Sequence, residues 1–274
     1  LLSCKKSFVD VAPQGQFLSE NYYANQTQAY SAMVAVYDVL RKNSGGFENM
    51  ITMMNAGSDD HFAGGGGATD GAGIQGFSNY TLTSLTIPRS FWSDHYQGIF
   101  RANVLLAKLP NTNMDATLKA RYVAETKALR ALYYFNLVRM FKNVPLILDA
   151  LTTANMYDVT QAAPTAVYAQ IEKDLTEAIA SLPLTVPLTT EAGRFTKGAA
   201  QALLGKVYLY ENKGALAAAQ LAEVNGATPG GTSIYGYKLL TSFSDLWVVA
   251  NKFNTESILE CSHTSAGNSD WGWW

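Results

Sequence analysis

Histidine, cysteine and charge are scarce in this sequence, and each shortage removes a class of function. The 274 residues hold three histidines, His61, His95 and His263, and two cysteines, Cys4 and Cys261. Neither type falls at metal-ligand spacing, and two cysteines make no disulfide framework. There is no G-x-S-x-G, no H-E-x-x-H and no Cys–His pair with supporting context. A glycosidase needs two carboxylates flanking a cleft, and nothing in the sequence nominates such a pair. Charged residues are only 15% of the chain, below the roughly 25% of an average domain. With a formal net charge of −2 and scattered basic residues, no patch exists that could displace counterions from a nucleic acid. No apolar run reaches the ~18 residues of a membrane span. A literal G-x-G-x-x-G occurs at Gly71, Gly73 and Gly76. No apolar strand precedes it and no helical pattern follows it, so the context that gives a nucleotide loop its mechanism is missing.

What is abundant is apolar and aromatic. Hydrophobic residues make up 48%, with 15 Tyr and 5 Trp, enough for a sizeable core. Low charge with many Tyr and Trp suits contact with neutral, hydroxyl-rich ligands. The stretch 120–147 organises the rest. Tyr122, Leu129, Leu132, Tyr133, Phe135, Leu137, Val138 and Phe141 leave almost no polar stripe, so this helix needs neighbours on several sides. Arg130 and Arg139 lie within that surface and require carboxylate or carbonyl partners. Around this spine the 3-and-4 spacing predicts a helix from near Ser19 to Lys42, one over 90–109 stopped by Pro110, and one over 164–182 opened by Pro164. Two more follow, after Thr196 and over 214–224. Trp92 falls on the inward stripe of the 90–109 helix and reads as core. Asn103 shares that stripe, and its amide is expected to bond backbone groups. Leu204-Gly205-x-x-Tyr208 followed by Ala217 matches the tetratricopeptide pattern, in which small residues let two helices approach closely. The fold class is therefore mainly α, a degenerate array of helical pairs.

Two regions break the helical pattern. Residues 43–89 form a connection too long for a passive turn. It offers Asp59, Asp60, His61, Phe62, Asp70, Gln75, Phe77, Asn79 and Tyr80. Asp59 and Asp60 serve either a ligand or the local caps and turns. Phe77 and Tyr80 are either ligand platforms or packing anchors. Beyond residue 226 the chain is turn-rich, Glu256–Cys261 reads as a short strand, and Trp271, Trp273 and Trp274 cluster at the end. Those three tryptophans are ligand platforms or core side chains.

Several segments in order resemble the SusD/RagB family of surface nutrient-binding lipoproteins of Bacteroidetes. Leu1-Leu2-Ser3-Cys4 resembles a bacterial lipobox, and Phe8–Pro13 looks like the family's opening after its anchor. Ser58-Asp59-Asp60 resembles the acidic motif after the first helix. Trp92-x3-Tyr96-x2-Ile99-x-Arg101-Ala-Asn103 is similar to the second-helix signature. Glu125-x4-Arg130-Ala-x-Tyr-Tyr-Phe135 with Val144–Ile147 matches the spine, and Gly193–Ala200 with the helix to Tyr210 matches the next signature. Glu256-Ser-Ile-Leu resembles the strand that follows.

The resemblance implies a SusD-like α-α superhelix: tetratricopeptide-like pairs as scaffold, with long irregular loops building the ligand surface. It divides the chain into a lipobox remnant and extended tether, 1–16, and a SusD-like helical domain, 17–274, which lacks a C-terminal region that members usually have. It implies acylation at Cys4, attachment to the outer membrane facing outward, and a SusC-like TonB-dependent transporter as partner. The ligand is expected to be an oligosaccharide, with a peptide as the alternative known for some members. The expected contacts are Asp59, Asp60, His61, Phe77, Asn79, Tyr80, Trp271, Trp273 and Trp274. No catalytic residue, cofactor, metal or nucleic-acid partner is expected. The competing readings are a helical-repeat module that binds only another protein, and a glycoside-processing enzyme.

Overall fold

The computed structural model describes residues 22–42, 49–67 and 69–261. Cys4, the tether over 5–16, Trp271, Trp273 and Trp274 lie outside the described residues. The chain is mainly helical. At its centre is the expected spine, α5 (Ala116–Phe141), reached through α1 (Gln26–Arg41), α2 (Met50–Ala56), α3 (Ala72–Ser78) and α4 (Ser90–Lys108). Asp115 caps α5 by accepting the Leu118 N–H at 2.8 Å, the usual duty of a carboxylate at an N-cap. Tyr133, Tyr134, Phe135 and Leu137 on successive faces are all buried. Helix α4 packs on one flank and α6 (Pro164–Ser181) on the other, while α1 and α8 (Lys197–Tyr210) close the remaining sides. The apolar circumference read from the sequence is thereby covered.

Helix α8 forms a hairpin with α9 (Gly214–Asn225). Gly205 lets the two approach: a Cβ there would sit 2.6 Å from the Leu221 side chain. This is the close contact that the tetratricopeptide spacing predicts. A short helix, α7 (Leu188–Glu191), lies in the connection before α8.

The polar side chains beside the spine helix find partners across the bundle. Arg130 binds both oxygens of Asp174 on α6, each at 2.8 Å, and donates to Asn103 Oδ1 at 2.8 Å. Asn103 in turn donates to the Ile147 carbonyl at 2.9 Å, fixing the chain as it leaves α5. Glu125, fully buried, accepts from Tyr37 at 2.7 Å, from Arg121 at 2.8 Å and from Arg194 at 2.7 and 3.0 Å. Burial, and then the Glu125 charge, push the Tyr37 phenol well above its ordinary value. Arg139 pairs with no carboxylate among the described residues; it donates to the Phe135 carbonyl and to Asn136, and its guanidinium lies 4.3 Å from the Phe135 ring centre. His95 is buried between α4 and α5, with Nδ1 2.7 Å from the Phe91 carbonyl and Nε2 3.1 Å from the Asn136 amide nitrogen. Both contacts suit a neutral ring protonated on Nδ1, and burial holds its pKa below the ordinary value.

Four expectations need correction. The first helix starts at Gln26, not near Ser19, because Asn25 takes an extended conformation and caps the Gln28 N–H. The 43–89 connection is not wholly irregular: α2 and α3 form inside it. The G-x-G-x-x-G run is itself the start of a helix, with Gly71 as the cap of α3 and Gly73 and Gly76 within it. Glu256–Cys261 pairs with no strand among the described residues; turns and bends form there instead, and Glu256 accepts the Leu240 N–H at 2.6 Å. The strands among the described residues are β1 (Val144–Pro145) and β2 (Gln161–Ala162), paired antiparallel at the end of α5.

Candidate functional site

The connection between α1 and α4 is a small structure with a core of its own. Met53 and Ala56 of α2, Ile74 of α3 and Phe91 of α4 are buried together, with Ala63, Phe77, Met140 and Phe141 against them. The glycine run is pinned to this unit. Gly66 N–H donates to Asp70 at 2.8 Å and the Gln75 amide donates to the Gly64 carbonyl at 2.7 Å. Gly65 has φ +87°, and a Cβ there would lie 2.9 Å from Asp70 Oδ2; only glycine meets both demands without strain.

The predicted loop residues divide on this unit. Phe77 is half-buried and its ring centre is 5.9 Å from that of Phe91, so it is a packing anchor. Tyr80 is 76% exposed. It holds a left-handed φ of 54°, and its hydroxyl reaches back to the Gly57 carbonyl at 2.8 Å. That bond brings Tyr80 beside the Ser58–His61 turn. Asp59 and Asp60 are exposed and make no hydrogen bond or ion pair with the described residues. Capping is therefore not what they do in this structure. His61 Nδ1 lies 3.3 Å from Ser58 Oγ, which donates to the Asn55 carbonyl at 2.7 Å. Because the serine proton is spent, His61 Nδ1 is the donor and Nε2 faces outward to accept. Asn79 is exposed at the end of α3 with its side-chain amide unspent, and Phe62 is 81% exposed. The Ser58–Phe62 segment and the end of α3 thus bring two exposed aromatic side chains, two carboxylates, an imidazole and an amide near one another beside the small core. Flat apolar planes ringed by planar donors and acceptors match a ligand with C–H faces and a rim of hydroxyls.

A groove of about 760 Å³ borders this face, lined by Leu82, Thr83, Ser84, Ile87, Pro88 and Arg89 of the loop, by Trp92 and Ser93 of α4, and by Met140 and Phe141 of α5. The helical stripe assigns Trp92 to the core, and it does pack there, 4.9 Å from Tyr96 and 5.2 Å from Phe141 between ring centres. It is only half-buried, and it also lines the groove. Sequence reasoning missed the groove because the stripe gives the inward direction but not where the core ends. Arg89 next to Pro88, at the end of a turn-rich segment and just before Trp92, was the available signal.

A further depression of about 660 Å³ lies beside Trp247, Val248 and Val249. Its acidic residues Glu256 and Glu260 each accept a backbone N–H already. Among the described residues no cluster of His, Cys, Asp and Glu could hold a metal ion, and no helix is long and apolar enough to cross a membrane.

Comparison with known proteins bears on the arrangement. Residues 72–209 match the SusD-like family described as starch-binding and associating with the outer membrane. A solved structure named as a laminarin-binding SusD-like protein is 61% identical, with a TM-score of 0.86 over 92% of this chain and 55% of that one. A SusD-like protein of Formosa agariphila is 22% identical over 93% of this chain and 48% of its own length. A SusD-like protein of Bacteroides ovatus is 25% identical over 94% of this chain and 46% of its own. The chain thus spans about half the length of these relatives. With just over half of its residues matched to the family pattern, the chain belongs to the SusD-like family.

Proposed function

We propose that this protein captures glycan at the cell surface on the α2–α3 face and passes it, chemically unaltered, to a SusC-like TonB-dependent transporter. The observation that carries the reading is the set of unspent side chains, Asp59, Asp60, Asn79 and the outer nitrogen of His61, around the exposed rings of Phe62 and Tyr80. The proposed ligand is laminarin, a neutral glucose polymer, by likeness to the 61%-identical relative named for binding it. Neutral sugars present C–H faces to the rings and hydroxyls to the polar rim. Acylation at Cys4 would hold the protein to the outer membrane, and two or more acyl chains there would anchor it stably. Trp271, Trp273 and Trp274 are proposed as additional ring platforms. No bond is made or broken in this scheme.

Affinity electrophoresis against a glycan panel, with released reducing sugar measured in parallel, tests the reading. Retardation by laminarin without sugar release is expected. Release would make the protein an enzyme, and neither effect would favour a module that binds only protein.

A further inference from the structure

We propose that the groove beside the loop is a second contact point for the same polysaccharide, taking a sugar ring against Trp92 with Arg89, Ser84 and Ser93 as its hydrogen-bonding rim. This rests on the glycan-binding reading of the α2–α3 face and extends it. Three observations support it. First, the groove's polar groups are unspent. Arg41, Arg101, Arg121, Arg130, Arg139 and Arg194 all have protein partners. Arg89 has none among the described residues, and neither do the Ser84 and Ser93 hydroxyls. Thr83, on the same wall, is committed to Thr86 at 3.2 Å.

Second, Trp92 is held in place before any ligand arrives. Tyr96 and Phe141 pack against the half-buried indole, which also lines a cavity of about 760 Å³, within the size range of small-ligand sites. A ring stacked there would spend little ordering entropy on the protein side. The lining carries no carboxylate, so the groove offers donors and hydroxyls to a polyol and no countercharge to a cation.

Third, groove and loop face are continuous. Leu82 starts the groove two residues after Tyr80, at most roughly 7 Å along the chain. The Leu82 side chain packs on Gly76 of α3, so both sites share one wall. A longer glycan seated on Tyr80 extends along that wall into the groove. Short oligosaccharides then use the loop alone, and longer ones use both.

Calorimetric titration of the full chain with laminaribiose and laminarihexaose tests this. The wild type is expected to bind the hexaose more tightly. Arg89→Ala should weaken hexaose binding roughly tenfold, the loss of one charged hydrogen bond, and leave the biose within about twofold. Ser93→Trp, which fills the groove from an exposed position, should do the same. If both variants bind hexaose as the wild type does, or lose biose and hexaose equally, the groove proposal is overturned. If the wild type binds both sugars and Tyr80→Ala weakens both, the loop reading survives that failure. Binding of neither sugar by the wild type overturns both.

Discussion

Phe77 and Tyr80 are three residues apart, both aromatic, and placed differently by the structure: Phe77 packs on Phe91 and Tyr80 is exposed. Replacing each with alanine should therefore give opposite phenotypes. Phe77 is half-buried against Phe91 in the small core of Met53, Ala56 and Ile74. Fully buried Phe→Ala changes cost about 3–5 kcal/mol, so half-burial implies roughly 2 kcal/mol. That cost falls on the α2–α3 unit, whose core is separate from the main one. Amide hydrogen exchange in α2 and α3 should thus quicken about 30-fold, while amides in α5 keep their protection. Tyr80 is mostly exposed. Removing it loses one solvent-accessible hydrogen bond to Gly57, about 0.5–1 kcal/mol, and relieves no packing. As a ligand platform it should cost about 1–2 kcal/mol of binding, a five- to thirtyfold weaker Kd. Exchange mass spectrometry and glycan titration on both variants decide the matter. Unchanged α2–α3 protection in Phe77→Ala would refute the separate-core argument. Unchanged binding in Tyr80→Ala would refute the platform.

Three further outcomes are expected. Arg130→Met strands Asp174 in the core, costing about 3–5 kcal/mol, which lowers Tm by roughly 10 °C; Arg130→Met with Asp174→Leu should recover most of that in a thermal scan. His95 has a folded pKa held below its unfolded value near 6.5, so the unfolded state binds the extra proton first. Stability should fall as pH drops below about 6.5, and the Tm difference between wild type and His95→Gln should narrow over that window. Gly205→Leu should separate α8 from α9, because even a Cβ meets Leu221 at 2.6 Å; lost helicity with early melting is the readout, and a wild-type melting curve would contradict it.

The frame was legible because burial and charge constrain it locally. An α5 with no polar stripe must be surrounded, and an arginine inside it must find a partner. Both hold, although the sequence could not nominate Asp174, 44 residues away, as that partner. Asn103 on a buried stripe was readable as a bond to backbone. The Arg194–Glu125 pairing, 69 residues apart, carries no local trace. Helices α2 and α3 were missed because seven-residue helices are marginal on their own, and α3 also contains Gly73 and Gly76; their small core holds them. The strand over 256–261 was misjudged because a strand depends on a partner, and none pairs with it among the described residues. At the site, the exposed aspartates and Tyr80 were visible as residue types on a long loop. Separating Phe77 from Tyr80 required knowing which one faces Phe91.

The account depends most on glycan capture by the loop face with the helices as a frame. Laminarin titration of the wild type and of a triple variant, Asp59→Ala with Asp60→Ala and Tyr80→Ala, tests it most directly when Tm is measured on the same samples. The account predicts saturable binding by the wild type, at least tenfold weaker binding by the variant, and a Tm lowered by no more than about 3 °C, the loss of the Tyr80 hydrogen bond. Equal affinity in the two proteins, or no binding by the wild type, would contradict it.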